Sequence, residues 1–307
     1  MKLCLSGIEP FYNDQPIDTL IDFSDELEVG ELDLWVPRNT SVDSRRDIIN
    51  KIRGKKKNVA CVTTWSHLLN EDGSGVETSL VMESLDWAKD LGSPRINTYF
   101  GHLDSRDDEK AVSLYAHNIE GVLKKAEEYG ITVCLENEFD SRRHDPYGSD
   151  ITRSADRFMK LLDTIDHPLF KVTFDASNFA IAQEEYYPYA FEVLKDRIGY
   201  VHIKDARKLI PSMDANRKVW HDHDRSYVFI SLNEGVIDWV RFLGEVNKTF
   251  PSMPCSLELH TMYSQDSYET DPDASERKKA LVSLMGNAVY NDFYEAVRYL
   301  RQTGLFE

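Results

Sequence analysis

No two of the four cysteines in this 307-residue chain are neighbours: Cys4, Cys61, Cys134 and Cys255 stand far apart, each in an apolar run. Without a C-x-x-C pair there is no zinc knuckle and no dithiol redox motif to read. Buried free thiols in a reducing compartment are expected. No apolar run reaches the roughly 18 residues of a membrane helix. Met1 to Pro10 also lacks a basic stretch followed by a long apolar one, so a soluble, cytoplasmic protein is expected. Basic side chains are scarce, 36 against 53 acidic, for a net charge of −17. That balance counts against nucleic acid, whose binding rests on concentrated Lys and Arg. A glycine-rich phosphate turn is missing too: Gly7-Ile8-Glu9-Pro10 follows the first strand candidate, which disfavours an open dinucleotide-binding sheet.

What is present is alternation. A hydrophobic fraction of 41% supplies a core and excludes disorder. Short β-branched or aromatic runs predict strands at Lys2–Ser6, Leu32–Val36, Val59–Thr64, Arg95–Gly101, Thr132–Glu138, Lys171–Asp175, Gly199–Lys204 and Cys255–His260. Between them lie helical periods, clearest over Asp108–Tyr129, with Gly130 placed to end the helix. Helices are also predicted over Ile151–Ile165, opened by Ser149-Asp150, over Val236–Phe250 and over Glu276–Leu300. Eight such units predict a (β/α)₈ TIM barrel, formed as a single domain over residues 1–307.

The last four strands carry chemistry. Strand side chains alternate faces. Val133, Leu135, Val172, Phe174, Val201, Ile203, Leu257 and Leu259 therefore form one apolar face, towards the helices. The opposite face carries Glu136, Glu138, Asp175, His202, Lys204, Glu258 and His260 into the barrel. Burying several carboxylates together is costly unless something offsets their charge. One divalent cation held by Glu136, Asp175, His202 and Glu258 is the simplest offset. The oxygen-rich set suits Mn²⁺ or Mg²⁺, with Co²⁺ or Zn²⁺ as alternatives. Separate ion pairs at the barrel mouth are the other reading.

In order, Leu135-Glu136-Asn137, Phe174-Asp175-Ala176-Ser177-Asn178-Phe179, Val201-His202-Ile203-Lys204-Asp205-Ala206, Asn233-Glu234-Gly235-Val236-Ile237-Asp238-Trp239 and Leu257-Glu258-Leu259 resemble the xylose isomerase-like TIM-barrel superfamily. Its sugar (phosphate) isomerase/epimerase members are the most similar, and Ala88-Lys89-Asp90-Leu91-Gly92 adds to the likeness. The resemblance implies that Glu136, Asp175, His202 and Glu258 hold one catalytic metal. It also implies an enediolate reached by proton transfer, with Glu136 and Glu258 as the acid–base pair. The implied substrate is a small carbohydrate or keto-polyol.

Further candidates surround that set. Lys204 could neutralise oxyanion charge or bind a hydroxyl or phosphate; a salt bridge to Glu138 or Asp205 is the alternative. Glu138, His260, His102, Asn178, Trp65, His67 and Arg207 are candidate substrate contacts, with ordinary packing or solvation as the alternative for the loop and aromatic residues. Asn178 stands where ketose 3-epimerases of the group carry histidine, and Arg142 where they carry glutamate. The resemblance thus also leaves room for a dehydratase of a keto-inositol or an eliminase of a 3-keto-glycoside. The long stretch after His202 includes Trp220-His221-Asp222-His223-Asp224-Arg225, readable as a second metal site, a lid or a polar loop. Endonuclease IV-type relatives need an Asp-x-His pair where this chain has Tyr227 and Phe229, and a histidine where it has Asn178. A DNA-repair role is therefore not expected. A non-catalytic sugar-binding barrel remains the alternative to an enzyme. Homo-oligomers are common in the resembling family, but the sequence carries no interface signal.

Overall fold

Strand and helix alternate along the chain as their patterns require. A computed structural model describes residues 1–9, 16–37, 40–70, 77–101, 103, 107–139, 150–222, 224–263 and 266–306, with only the backbone of Trp65. The first half contains β1 (Lys2–Ser6), α1 (Ile17–Glu26), β2 (Glu31–Trp35), α2 (Val42–Gly54), β3 (Asn58–Leu69), α3 (Thr78–Leu91), β4 (Arg95–Gly101), α4 (Asp108–Tyr129) and β5 (Thr132–Glu136). There follow α5 (Ala155–Ile165), β6 (Phe170–Asp175), α6 (Ala176–Ile181), α7 (Phe191–Leu194), β7 (Ile198–Ile203), β8 (Asp205–Lys208), β9 (Trp220–Asp222) and β10 (Arg225–Ile230). The chain ends with α8 (Trp239–Thr249), β11 (Pro254–Leu257), α9 (Glu276–Met285) and α10 (Asn287–Gln302).

Eight of these strands close into a barrel in the order β1-β11-β7-β6-β5-β4-β3-β2. Neighbours throughout are parallel. This is the (β/α)₈ architecture that the sequence predicts. All eight residues assigned to the outer face are buried against the helices. On the inner face, Cys61, Cys134 and Tyr200 pack together in the lumen. The four cysteines are free and buried. Among the described residues no helix is long and apolar enough to cross a membrane.

Helix ends follow capping chemistry. Asp107 accepts the Lys110 N–H at the start of α4, and Gly130 ends it with φ +67°. Three expectations need correction. The chain from Asp150 makes one 3₁₀ turn, Ile151–Arg153, before α5 starts at Ala155. Helix α8 starts at Trp239 rather than Val236, because Asp238 accepts the Arg241 N–H and caps it there. The long final helix is two helices. Gly286 breaks it with φ +89°, and a Cβ there would lie 2.1 Å from Asp266 Oδ2.

Among the described residues the stretch after His202 is built largely of strands rather than of polar loop. It forms an antiparallel sheet ordered β8-β10-β9. Asp222 on β9 is fully buried, accepting two hydrogen bonds from the Arg153 guanidinium and one from Arg225. His221 is exposed, with Nδ1 3.1 Å from Ser226 Oγ; His223 lies outside the described residues. Asp205 anchors this sheet to the barrel. Its carboxylate accepts from the N–H groups of Ala206, Val236 and Ile237 and from Trp239 Nε1, at 2.9–3.3 Å. Gly235 lies so close that a Cβ would sit 1.9 Å from Asp205 Oδ1. The Asn-Glu-Gly turn and the His-x-Lys-Asp run are thus two halves of one clamp.

Candidate metal centre

Four strand ends converge at the C-terminal mouth of the barrel. Glu136 ends β5, Asp175 ends β6, His202 is the penultimate residue of β7, and Glu258 follows β11. The register pairs Asp175 with His202, and His202 with Ser256 two residues before Glu258. One donor atom from each of the four lies within 4.8 Å of the others, and all four residues are buried. Donors around one ion stand ~2.0–2.2 Å from it, so opposed donors are about 4.4 Å apart. The set is already near that span.

Each ligand candidate is braced. Asn97 on β4 donates to Glu136 Oε2 at 2.9 Å, and Thr173 Oγ1 in turn donates to Asn97 at 2.7 Å. His202 Nδ1 is 3.1 Å from Glu136 Oε1 and 3.2 Å from Glu258 Oε2. Asp175 caps α6, Oδ1 accepting the Asn178 N–H at 2.8 Å. Asn178 also donates through Nδ2 to the Asn137 carbonyl and to Glu136 Oε1. Asn178 thus braces Asp175 and Glu136, while its buried Oδ1 has no hydrogen-bond partner among the described residues.

Lys204 supplies the positive charge. It is buried, with Nζ 2.9 Å from Asp175 Oδ2, 3.1 Å from Glu258 Oε2 and 3.6 Å from Glu136 Oε1. These salt bridges tie Lys204 to the cluster. Burial opposes this charge, but Asp175, Glu258 and Glu136 outweigh it and hold the ammonium well above its ordinary pKa. Burial also opposes a charged His202, yet Glu136 and Glu258 raise it well above the ordinary imidazole value. Burial pushes Asp175 up to about 6 despite Lys204. Glu258 moves the other way: burial is outweighed by Lys204 and His202, and its carboxyl stays well below the usual range.

Whether the set suits a cation is decided by its donors. Three carboxylates exceed what the Lys204 ammonium and a charged His202 together neutralise. Among the described residues Glu258 Oε1 is buried and accepts no hydrogen bond. An orphaned buried carboxylate oxygen is costly, and a divalent ion would satisfy it. The residues fit an oxygen-rich site for one such ion.

The other expected contacts divide. His260 is buried, its Nε2 3.7 Å from Glu258 Oε2 and its ring against Phe229 and Trp220. Glu138 is half-buried, and its N–H donates to Thr152 Oγ1. His67 is half-buried with its ring edge-on to Tyr99 and its N–H donating to Glu77. Arg207 makes a bidentate pair with Asp214 at 2.7 and 2.9 Å. His102 and Arg142, like the Trp65 side chain, lie outside the described residues.

Three buried residues of the site have no counterpart in the sequence reading: Asn97, Asp33 and Glu9. Asn97 and Asp33 share the inner face of β4 and β2 by the same two-residue period, so the signal existed. Glu9, just beyond β1, accepts the His260 N–H through Oε1 at 3.0 Å, and burial raises its carboxyl to about 8.

The profile of the xylose isomerase-like TIM barrel family matches residues 26–282. The chain belongs to that family. No curated protein matches it in sequence. Solved structures share the fold at low identity. The probable 3-DHS dehydratase AsbF, involved in petrobactin synthesis in Bacillus anthracis, superposes with a TM-score of 0.68 at 14% identity, covering 98% of this chain and 99% of that one. D-allulose 3-epimerase from Methylomonas sp. gives 0.67 at 14%, with 99% and 98% covered. The IOLI protein with a binding zinc atom gives 0.66 at 15%, with 99% and 97% covered. These likenesses show the fold that family membership entails.

Proposed function

We propose that the protein is a divalent-metal-dependent isomerase or epimerase of a sugar, sugar phosphate or keto-polyol, working by proton transfer at the carbon beside a carbonyl. The observation that carries this reading is the buried Glu136–Asp175–His202–Glu258 set with an orphaned oxygen on Glu258. A bound Mn²⁺ or Mg²⁺, or alternatively Co²⁺ or Zn²⁺, would polarise the carbonyl and lower the energy of negative charge on its oxygen. The fold's epimerase neighbour and the zinc-binding one are consistent with such chemistry.

The protein's own groups divide the labour. Glu136 and Glu258 rise from strands that flank β6 and β7, so they approach a substrate from two sides. Glu136 accepts hydrogen bonds from Asn97 and Asn178 and has the His202 ring beside it, so it is the more firmly held of the two. Among the described residues Glu258 Oε1 accepts no hydrogen bond, which leaves lone pairs for both the ion and the substrate proton, so Glu258 is the proposed base. On the opposite side Glu136, protonated from solvent beforehand, delivers its own proton to the carbon, and Glu258 then releases the one it took to solvent. Despite burial, Lys204, 3.1 Å from Glu258, keeps that carboxylate ionised and so ready to accept the proton.

A lyase acting through the same proton abstraction is the second reading. It is favoured by an acid within the site: Glu9, protonated at neutral pH and bonded to the His260 backbone. Such a group could protonate a departing hydroxyl or glycosyl oxygen. Ketoses, keto-inositols and 3-keto-glycosides incubated in D₂O with Mn²⁺ separate the cases. Deuterium beside the carbonyl without loss of water supports the isomerase or epimerase. Loss of water or of a glycosyl group supports the lyase. Exchange that survives Glu258→Gln contradicts the assigned base, and no exchange with any carbonyl substrate points to a binding barrel.

A further inference from the structure

We propose that Asp33 is the positioning residue for His202: it takes the imidazole Nε2–H across the barrel and so presents Nδ1, with its lone pair, to the metal. This inference rests on reading the four-residue cluster as a metal centre. Asp33 is the middle residue of β2, which β1 and β11 separate from β7. Its approach to His202 therefore crosses the lumen and owes nothing to strand pairing. Asp33 and His202 are both fully buried. Asp33 Oδ1 accepts from Thr63 Oγ1 at 3.0 Å, which aims Oδ2. Oδ2 lies 3.5 Å from His202 Nε2. Neither atom accepts or donates a hydrogen bond among the described residues, so their mutual approach is an ion-pair contact in which each is the other's polar partner.

A carboxylate buried this deeply is costly unless a donor or a cation meets it. Among the described residues His202 is the group of opposite sign paired with Asp33. An apolar side chain would fill the same space more cheaply, so packing does not account for an aspartate here. The other sides of the ring are occupied as well. Tyr200 packs edge-on at 5.4 Å between centroids, and Nδ1 faces Glu136 and Glu258. A neutral imidazole carries its proton on one nitrogen, and only the other can ligate. With Asp33 at Nε2 the proton belongs there. Histidines that bind metals commonly give their second N–H to a carboxylate, and losing that partner weakens metal binding by roughly 10–100-fold.

The test uses Mn²⁺ alone, with free ion measured by electron paramagnetic resonance, on wild type, Asp33→Asn and Thr63→Val. Asparagine keeps the shape but offers a neutral oxygen or an NH₂ that favours the wrong tautomer. The expected result is a roughly 10–100-fold weaker Kd for Asp33→Asn and a smaller loss in the same direction for Thr63→Val. The second readout needs no variant: ¹⁵N-histidine spectra of Zn²⁺-loaded wild type are expected to show His202 protonated at Nε2. Equal Mn²⁺ affinity in wild type and Asp33→Asn, or a proton-free Nε2, overturns the role of Asp33 and leaves the metal centre standing. If wild type itself binds no Mn²⁺, the metal centre fails and this inference falls with it.

Discussion

Replacing Lys204 by methionine separates two cations that compete for the same oxygens. The ammonium lies 2.9–3.6 Å from Asp175, Glu258 and Glu136 inside the barrel. Methionine keeps most of the stem's packing and removes the charge. In metal-free protein three buried carboxylates are then left with His202 alone. Breaking a buried ion pair by deleting one partner costs about 3–5 kcal/mol, and that loss is expected in urea unfolding with a chelator present. Saturating Mn²⁺ gives the carboxylates a new counter-charge, so most of the deficit should vanish when the ion is added. By the thermodynamic cycle, about 3 kcal/mol recovered on binding appears as roughly 100-fold tighter Mn²⁺ affinity in Lys204→Met. The assay is paired unfolding curves with chelator and with Mn²⁺, plus a direct Mn²⁺ titration. Equal destabilisation in both conditions, or no tightening of Mn²⁺ binding, would refute the reasoning.

Two further outcomes follow from the same geometry. Glu9 is held at about 8 in the folded protein against an ordinary 4.5. Folded protein thus keeps a proton that the unfolded chain releases, and this contribution is present below pH 4.5 and lost as pH rises to 8. The shift corresponds to about 4–5 kcal/mol, so metal-free Glu9→Gln should gain stability relative to wild type between pH 5 and 8; parallel curves across that range would contradict it. Gly235→Ala places a methyl 1.9 Å from Asp205 Oδ1. Displacing that carboxylate from four donors should cost about 3 kcal/mol or more in urea, and a neutral substitution would show that the clamp yields.

Where strands carry charge in a strict two-residue period, the site was legible. Glu136, Asp175, His202 and Glu258 could be aligned because each sits at the end of an apolar-flanked strand, and the closed barrel brings those ends together. Asp33 and Asn97 obey the same period on β2 and β4. They went unread because a single polar residue on one strand gives no pattern until the barrel closes. Glu9 had no periodic signal, since it lies beyond its strand and is held by the backbone of His260, 251 residues away. The β8-β10-β9 sheet was hidden by its short strands and by polar residues at its turns. Asp222 resembled a ligand by composition, but burial with Arg153 and Arg225 makes it a structural anion. Gly286 sat inside a helical period, and the break it makes depends on Asp266, which periodicity cannot reveal.

The central claim is that four side chains at the barrel mouth hold one divalent ion. Native mass spectrometry of chelator-treated protein reloaded with Mn²⁺ tests it most directly, on wild type and on Glu136→Gln and Glu258→Gln, with folding checked by circular dichroism. One ion per wild-type chain, and loss of that ion from both folded variants, is the predicted result. A wild-type chain that takes up no ion, or variants that retain it in full, would contradict the account.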